Sequence, residues 1–225
     1  RAGFKTIWAN EKDKYAVKTY QYNFDNEIVL EDIENVKESS IPDFDVLLAG
    51  FPCQPFSVAG YRRGFEDKRG NVFFELIRVI KAKRPEIVFL ENVKNLVGHD
   101  KGNTFKVILE ALQTYGYKVK YKVLNAMEYG NVPQNRERIY VVGFLDEKTY
   151  KNFEFPYPIL LTKTIKDVID FENKKDDKYY YTEENCVFYD KLKESITSEE
   201  TIYQWRRVYV RENKSNVCPT LTANM

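Results

Sequence analysis

One histidine, three cysteines and two methionines in 225 residues exclude several kinds of chemistry at the outset. Cys53, Cys186 and Cys218 are too far apart in sequence to form a disulfide framework or the closely spaced ligand pairs of a structural zinc site, and such usage fits a reducing cytoplasm. His99 lies in Gly98-His-Asp-Lys-Gly-Asn103 without a supporting motif, so a cysteine hydrolase with a histidine base is disfavoured and His99 is expected to be a solvated loop residue. No apolar run approaches the length of a membrane span. Lys and Arg total 35 against 34 Asp and Glu, so no global charge announces a nucleic-acid partner. Internal repeats, low-complexity tracts and Pro/Ser-rich linkers are absent too. Arg1 is not an initiator residue, which leaves room for a removed leader.

What is present is concentrated at Gly50-Phe-Pro-Cys-Gln-Pro-Phe-Ser57. The apolar run Asp45-Val-Leu-Leu-Ala49 before it predicts a short strand buried in a parallel sheet. Pro52 and Pro55 cannot donate to a sheet ladder, so the backbone must leave the sheet here and carry the Cys53 thiol out at the strand's carboxyl end. In open α/β sheets that edge is where ligands bind.

Other segments predict elements that converge on the same edge. Phe4 to Ala9 reads as a strand ending in Asn10-Glu11, with a helix from about Lys12 to Tyr22. An acidic residue at such a strand end is where many nucleotide-binding folds hold ribose hydroxyls. Phe73, Leu76, Ile77 and Ile80 recur at helical spacing as a core stripe, ended by Arg84-Pro85. Ile87-Val-Phe-Leu90 is a second buried strand, and it delivers Glu91-Asn-Val93 to the edge that carries Cys53. A helix over about Thr104 to Thr114 and strands over Lys118 to Leu124 and Arg138 to Phe144 follow. If the approach to the last strand is extended, Arg136 and Arg138 project to one face and Glu137 to the other. From Leu145 to Tyr203 the periodicity weakens and charge and aromatics mix, with a boundary near Lys163 to Asp167; the tail from Gln204 alternates like strands. The domains are therefore read as 1–165 and 166–225.

Charge is local. Between Gly60 and Arg84 eight basic residues (Arg62, Arg63, Lys68, Arg69, Arg78, Lys81, Lys83, Arg84) face three acidic ones. Any of these can be a solvated surface charge or a phosphate contact, and the four in the loop after Cys53 are the better phosphate candidates.

Taken together and in order, these segments resemble the DNA (cytosine-5) methyltransferases of bacterial restriction-modification systems over nearly the whole chain. Phe51-Pro-Cys-Gln-Pro-Phe-Ser57 looks like the family's nucleophile motif, Asp67-Lys-Arg-Gly70 with Phe73-Phe74 the segment after it, and Glu91-Asn-Val93 the acidic motif. Gln134-Asn-Arg-Glu-Arg138 looks like the arginine motif, and Val217-Cys-Pro-Thr-Leu-Thr222 is similar to the motif after the target-recognition region. The resemblance implies an α/β, Rossmann-like fold dependent on S-adenosylmethionine, with a small, irregular target-recognition domain over 166–225. It implies Cys53, Glu91 and Arg138 as catalytic residues, and Glu11, Asp32, Ile33, Pro52 and Val72 as cofactor contacts. Gln54, Ser57, Arg69 and Arg136 are the implied DNA contacts, with no metal. The implied partner is duplex DNA containing a target cytosine, alongside a cognate restriction endonuclease in the same cytoplasm and no membrane. The family's glycine-rich first motif and its last motif are not in this sequence, so the chain is expected to be trimmed, to lack its ends, or to be one subunit of a split enzyme.

The residue chemistry matches that reaction. Carbon 5 of cytosine is a poor nucleophile until a thiolate adds at carbon 6, and a positive neighbour such as Arg138 favours the thiolate of Cys53. Glu91 at the facing strand end suits a hydrogen bond or proton for the ring nitrogen. The base must leave the stack to be reached, and the segment from Gln54 to Gly70 is a candidate lid whose arginines hold phosphates. Two alternatives share these residues. A tRNA-cytosine methyltransferase has the same Pro-Cys-Gln-Pro-Phe, although the Cys-Phe-Thr those enzymes usually carry is missing here. A non-catalytic DNA-binding subunit is the other.

Overall fold

The computed structural model describes residues 3–52, 72–170, 172–199, 201–206, 208–213 and 217–221. In chain order the strands are β1 (Asn10–Glu11), β2 (Val29–Leu30), β3 (Val46–Gly50), β4 (Ile87–Val93), β5 (Lys118–Asn125), β6 (Gln134–Asn135), β7 (Glu137–Phe144), β8 (Ile202–Arg206), β9 (Tyr209–Asn213) and β10 (Cys218–Pro219). The α-helices are α1 (Lys14–Asn23), α2 (Val72–Lys83), α3 (Asn103–Thr114), α4 (Ala126–Tyr129), α5 (Glu147–Asn152) and α6 (Tyr189–Ser195). The chain forms two compact units, Arg1–Val123 with Arg138–Glu154, and Leu124–Glu137 with Phe155–Met225.

The first unit is built on a four-stranded sheet in the order β3-β4-β7-β5. β3 and β4 run parallel, from Val46 opposite Ile87 to Gly50 opposite Glu91. β7 runs antiparallel to β4, from Ile87 opposite Phe144 to Val93 opposite Arg138. The carboxyl ends of β3 and β4 and the start of β7 therefore share one edge. The expected stripe on α2 is core: Phe73, Leu76, Ile77 and Ile80 are buried with Val88, Leu90, Ile108, Leu112 and Ile139. Such burial of side chains drawn from two helices and two strands supplies most of the favourable folding free energy, at roughly 1.5–3 kcal/mol for each large apolar side chain. α3 is closed two residues past its end by Gly116, whose φ of 89° is the left-handed geometry that favours glycine. The turn delivers Tyr117, which is buried and donates its hydroxyl to the Pro85 carbonyl at 2.7 Å.

Two sequence expectations need correction here. Residues 4–9 form no strand; β1 is only Asn10–Glu11, paired parallel to β2. Phe4 and Ile7 are exposed, and no strand among the described residues pairs with 4–9, so the segment has no ladder to join. Strand geometry also lapses at Arg136, between β6 and β7. There the Arg136 N–H donates to Asn125 Oδ1 at 3.0 Å and its carbonyl accepts the Ala126 N–H at 3.0 Å. An argument from alternating faces does not cross that break.

The helix expected from Lys12 begins at Lys14, because Asp13 caps it by accepting from the Tyr15 and Ala16 N–H groups. Leu145–Glu154 stays with the first unit: Phe153 packs on Phe144 with ring centroids 5.1 Å apart, and Lys120 Nζ donates to the Phe153 carbonyl at 2.5 Å. In the second unit β8 and β9 form an antiparallel hairpin, and Trp205 stacks on Phe188 with centroids 4.0 Å apart. β10 pairs parallel with β6, and Thr220 Oγ1 donates to the Asn135 carbonyl at 2.7 Å.

Candidate active site

Glu91 and Arg138 meet on the shared sheet edge. In the β4–β7 ladder Glu91 stands opposite Tyr140, so Arg138, two residues away along β7, projects to the same face as the diagonal neighbour. Arg138 Nε lies 2.9 Å from Glu91 Oε1, with the arginine side chain 13% exposed and the carboxylate 36%. On the other side the ladder sets Gly50 against Glu91, and a β-carbon at Gly50 would lie 3.5 Å from Glu91 Oε2. The carboxylate is thus held through one oxygen while the other lies over a backbone without a side chain. β3 ends at Gly50, and the next residue, Phe51, is buried with its ring 5.3 Å from that of Phe73. The Phe51 carbonyl accepts from Asn92 Nδ2 at 2.7 Å. The chain is therefore tied down on both side chain and backbone immediately before Pro52 and Cys53.

Cys53, Gln54, Ser57 and Arg69 lie outside the described residues, as do Arg62, Arg63 and Lys68. The other two cysteines are poor nucleophiles in their settings. Cys186 is buried, and burial pushes the Cys218 thiol up, against the opposing effect of a hydrogen bond with Gln134.

A second group forms around β1 and β2. Glu11 stands opposite Leu30, one residue before the Glu31-Asp32-Ile33 turn. Lys12 Nζ pairs with Asp32 Oδ2 at 3.2 Å. Asn10 Nδ2 donates to the carbonyls of Val29 and Glu31 at 3.1 and 2.8 Å, which fixes the turn against β1. Glu11 Oε1 accepts the N–H groups of Lys12 and Asp13 at 2.8 and 3.0 Å, and among the described residues Oε2 takes no bond. That donor set fits a ribose, since a free carboxylate oxygen at a strand end accepts from sugar hydroxyls. Asp32 caps the short 3₁₀ turn Ile33–Asn35; the Glu34 N–H first, and Lys12 second, hold its carboxyl below the usual range. Ile33 packs beside the buried Val36, Ile41 and Val79 and offers an apolar flank for a flat base. Pro52 is exposed at the end of β3 and Val72 opens α2, and their neighbours Phe51 and Phe73 are the ring pair noted above.

Several basic residues that charge alone nominated for phosphate are otherwise engaged. Arg78 pairs with Glu75 at 2.6 Å and Glu38 at 3.0 Å, and donates to the Ile33 carbonyl at 2.8 Å. Lys83 pairs with Asp43 at 2.9 Å, and Arg84 donates to the Tyr115 carbonyl at 3.2 Å. His99 is half-buried rather than solvated, with Nδ1 2.7 Å from Thr104 Oγ1, because the buried Thr104 hydroxyl at the start of α3 needs a partner. No group of three or more potential metal ligands occurs among the described residues. Sequence reasoning assigned no role to Gly50 or Asn92; the only signal for Asn92 was its place inside Glu91-Asn-Val93.

The family model of C-5 cytosine-specific DNA methylases matches residues 1–225. The chain belongs to that family. It is 66% identical over 223 residues to the type II methyltransferase M.Bsp6I of Bacillus sp. (strain RFL6), covering 99% of this chain and 71% of that protein. It is 47% identical over 182 residues to M.HaeII of Haemophilus aegyptius, covering 81% and 56%, and 46% identical over 167 residues to M.HhaI of Haemophilus parahaemolyticus, covering 74% and 50%. Against these last two, the methylase chain spans about half the relative's length. In fold it is similar to a mutant of Spodoptera frugiperda DNMT2 (TM-score 0.58, 20% identity, 77% of this chain and 54% of that one) and to Entamoeba histolytica EhMeth (TM-score 0.58, 18% identity, 80% and 56%). The Rossmann-like α/β methyltransferase fold implied by the motifs is the fold these likenesses support.

Proposed function

We propose that the protein transfers a methyl group from S-adenosylmethionine to carbon 5 of a cytosine flipped out of a specific duplex DNA sequence. The observation that carries this reading is the Glu91–Arg138 pair, set on the edge where β3 leads into Phe51-Pro-Cys-Gln-Pro-Phe-Ser57. S-adenosylmethionine, when bound, supplies an electrophilic methyl group. Glu11, Asp32 and Ile33 hold its nucleoside end, with Pro52 and Val72 closing the pocket.

The remaining steps belong to the chain's own side chains. Cys53 as thiolate adds to carbon 6 of the ring, and the electron pair of the 5,6 double bond moves to carbon 5. Glu91 in its protonated form donates a hydrogen bond or its proton to the ring nitrogen and so draws off charge that develops on addition. Arg138 keeps the Glu91 carboxylate in one orientation, which is what a positioned acid requires. Carbon 5 takes the methyl group with the sulfonium leaving as a neutral thioether, a solvent base accepts the carbon-5 proton, and the electrons of that carbon–hydrogen bond re-form the double bond as the thiolate departs. Gln54, Ser57, Arg69 and Arg136 contact the DNA, chiefly its backbone at the arginines.

Residues 1–165 act as the catalytic domain and 166–225 as the small target-recognition domain. A cognate endonuclease is the natural counterpart of a type II methyltransferase, in the same cytoplasm. Among the described residues no helix is long and apolar enough to cross a membrane. Covalent trapping on duplex DNA containing 5-fluorocytosine tests the reading, since fluorine cannot leave as a proton does and the cysteine adduct persists. The full-length protein with cofactor should be trapped on DNA in preference to RNA, and Cys53→Ser should not be. An untrapped wild type favours a binding subunit; equal trapping of Cys53→Ser rules out Cys53 as nucleophile.

A further inference from the structure

The backbone ladder between β3 and β4 stops at Gly50 opposite Glu91, one residue short of the point where the chain turns towards Cys53. Past that last rung, Asn92 takes over. Its Nδ2 donates to the Phe51 carbonyl at 2.7 Å, and its Oδ1 accepts the Val93 N–H at 2.8 Å. Asn92 is 3% exposed and is held from its other side by β7, where it pairs with Ile139. A buried amide with both ends bonded to backbone has one geometry available to it.

We propose that Asn92 is a positioning residue of the active site. Its side chain is an extra rung that locks the exit of β3 to the strand carrying Glu91, and so fixes the spacing between the acid and the chain that bears the nucleophile. This rests on the methyltransferase reading. The residue touches neither substrate nor cofactor in this role. Its neighbour Glu91 projects to the opposite face of β4, as alternate strand residues do. What it controls is distance. A misplacement of about 1 Å between reacting groups slows a step by up to about a hundredfold.

Asn92→Asp keeps the shape and the acceptor for Val93 but sets a second acceptor against the Phe51 carbonyl. Asn92→Ser, smaller and neutral, removes the contact without adding charge. In the full-length protein, single-turnover trapping on 5-fluorocytosine DNA separates two quantities: the amplitude counts competent sites, and the rate constant reports their geometry. Both variants should be trapped about ten- to a hundredfold more slowly, with amplitude, DNA affinity and cofactor affinity within about threefold of wild type. A normal rate constant with reduced amplitude, or no trapped fraction in either variant, overturns the proposal, because positioning predicts slow sites and not missing ones. An untrapped wild type overturns the methyltransferase reading and this inference together; a trapped wild type with unchanged variants overturns this inference alone.

Discussion

Arg138 reaches Glu91 across a diagonal of the β4–β7 ladder, Nε to Oε1 at 2.9 Å, while the second carboxylate oxygen lies over Gly50. The arginine, only 13% exposed, has given up much of its hydration to make this contact. A pair so placed fixes one face of the carboxylate and leaves the other for a ligand. Both residues sit on paired strands, whose backbones hold them more tightly than a loop would.

That arrangement predicts non-additivity. Glu91→Gln and Arg138→Ala should each slow single-turnover methylation by roughly a hundredfold or more. Once the carboxylate is gone its orientation no longer matters, so the double variant should be little slower than the worse single one. Losses that multiply to about ten-thousandfold would mean that the two residues act independently, and Arg138 would then have its own contact with substrate.

Arg78 supports a second prediction. Its guanidinium joins Glu75, Glu38 and the Ile33 carbonyl, binding α2 to the turn that follows Asp32. Arg78→Ala should lower stability by about 1–2 kcal/mol, as loss of a charged hydrogen-bond group does. It should also weaken cofactor binding through the displaced Asp32-Ile33 turn. The salt dependence of DNA affinity should not change, because no phosphate contact is removed. A shallower salt slope in Arg78→Ala would restore the phosphate role that local charge suggested.

The limits of the sequence can be traced to particular residues. Helix α2 and strands β4 and β7 were legible because burial writes itself in the sequence: Phe73, Leu76, Ile77 and Ile80 at helical spacing, and apolar runs in the strands. The run in β3 marked a strand, but not the buried one expected, since β3 ends the described sheet and Leu48 is 67% exposed. The meeting of Glu91 with the Gly50–Phe51 end of β3 followed from running two such strands in parallel. Residues 4–9 misled because an apolar-rich segment does not say whether a partner strand exists. At Arg136, between β6 and β7, the backbone bonds Asn125 and Ala126 instead of a strand ladder, partners that the spacing of the arginines does not reveal. The partners of Arg78, Lys83 and Arg84 come from segments 30 or more residues away in the chain for Ile33, Glu38, Asp43 and Tyr115, and a charge count carries no such information.

Tyr117 gives a prediction in pH. Burial pushes its phenol from 10.0 up to about 12, with Arg84 opposing, and the neutral hydroxyl donates to the Pro85 carbonyl. A group that ionises later in the folded state stabilises fully below its unfolded pKa, and this contribution fades as pH rises from about 10 to about 12. Tyr117→Phe leaves the Pro85 carbonyl unsatisfied and should cost about 1–2 kcal/mol at neutral pH. The chain has seventeen tyrosines, so the comparison that counts is between the two proteins. Denaturant titrations should converge in stability between pH 10 and 12. A gap that stays constant throughout would mean that Tyr117 titrates normally.

Target choice should travel with the second unit. Base-edge contacts discriminate sequence and phosphate contacts do not, so a segment carrying the former sets which cytosine is methylated. The cut points follow from packing. Leu145–Glu154 is fastened to the first unit by the Phe144–Phe153 contact, the Lys118–Glu147 ion pair and the Lys120 bond to the Phe153 carbonyl, so an exchange has to begin after Glu154. Trp205 on β8 stacks on Phe188, and Thr201 Oγ1 bonds the Asn213 carbonyl at 2.7 Å, so the hairpin has to move with the helix before it. A chimera that takes residues 155–213 from a relative of different specificity, and keeps Glu91, Arg138 and Cys53, should methylate the donor's site. Bisulfite sequencing of a plasmid modified by the chimera reads this directly. An active chimera that still marks the original site would place sequence recognition in the retained residues.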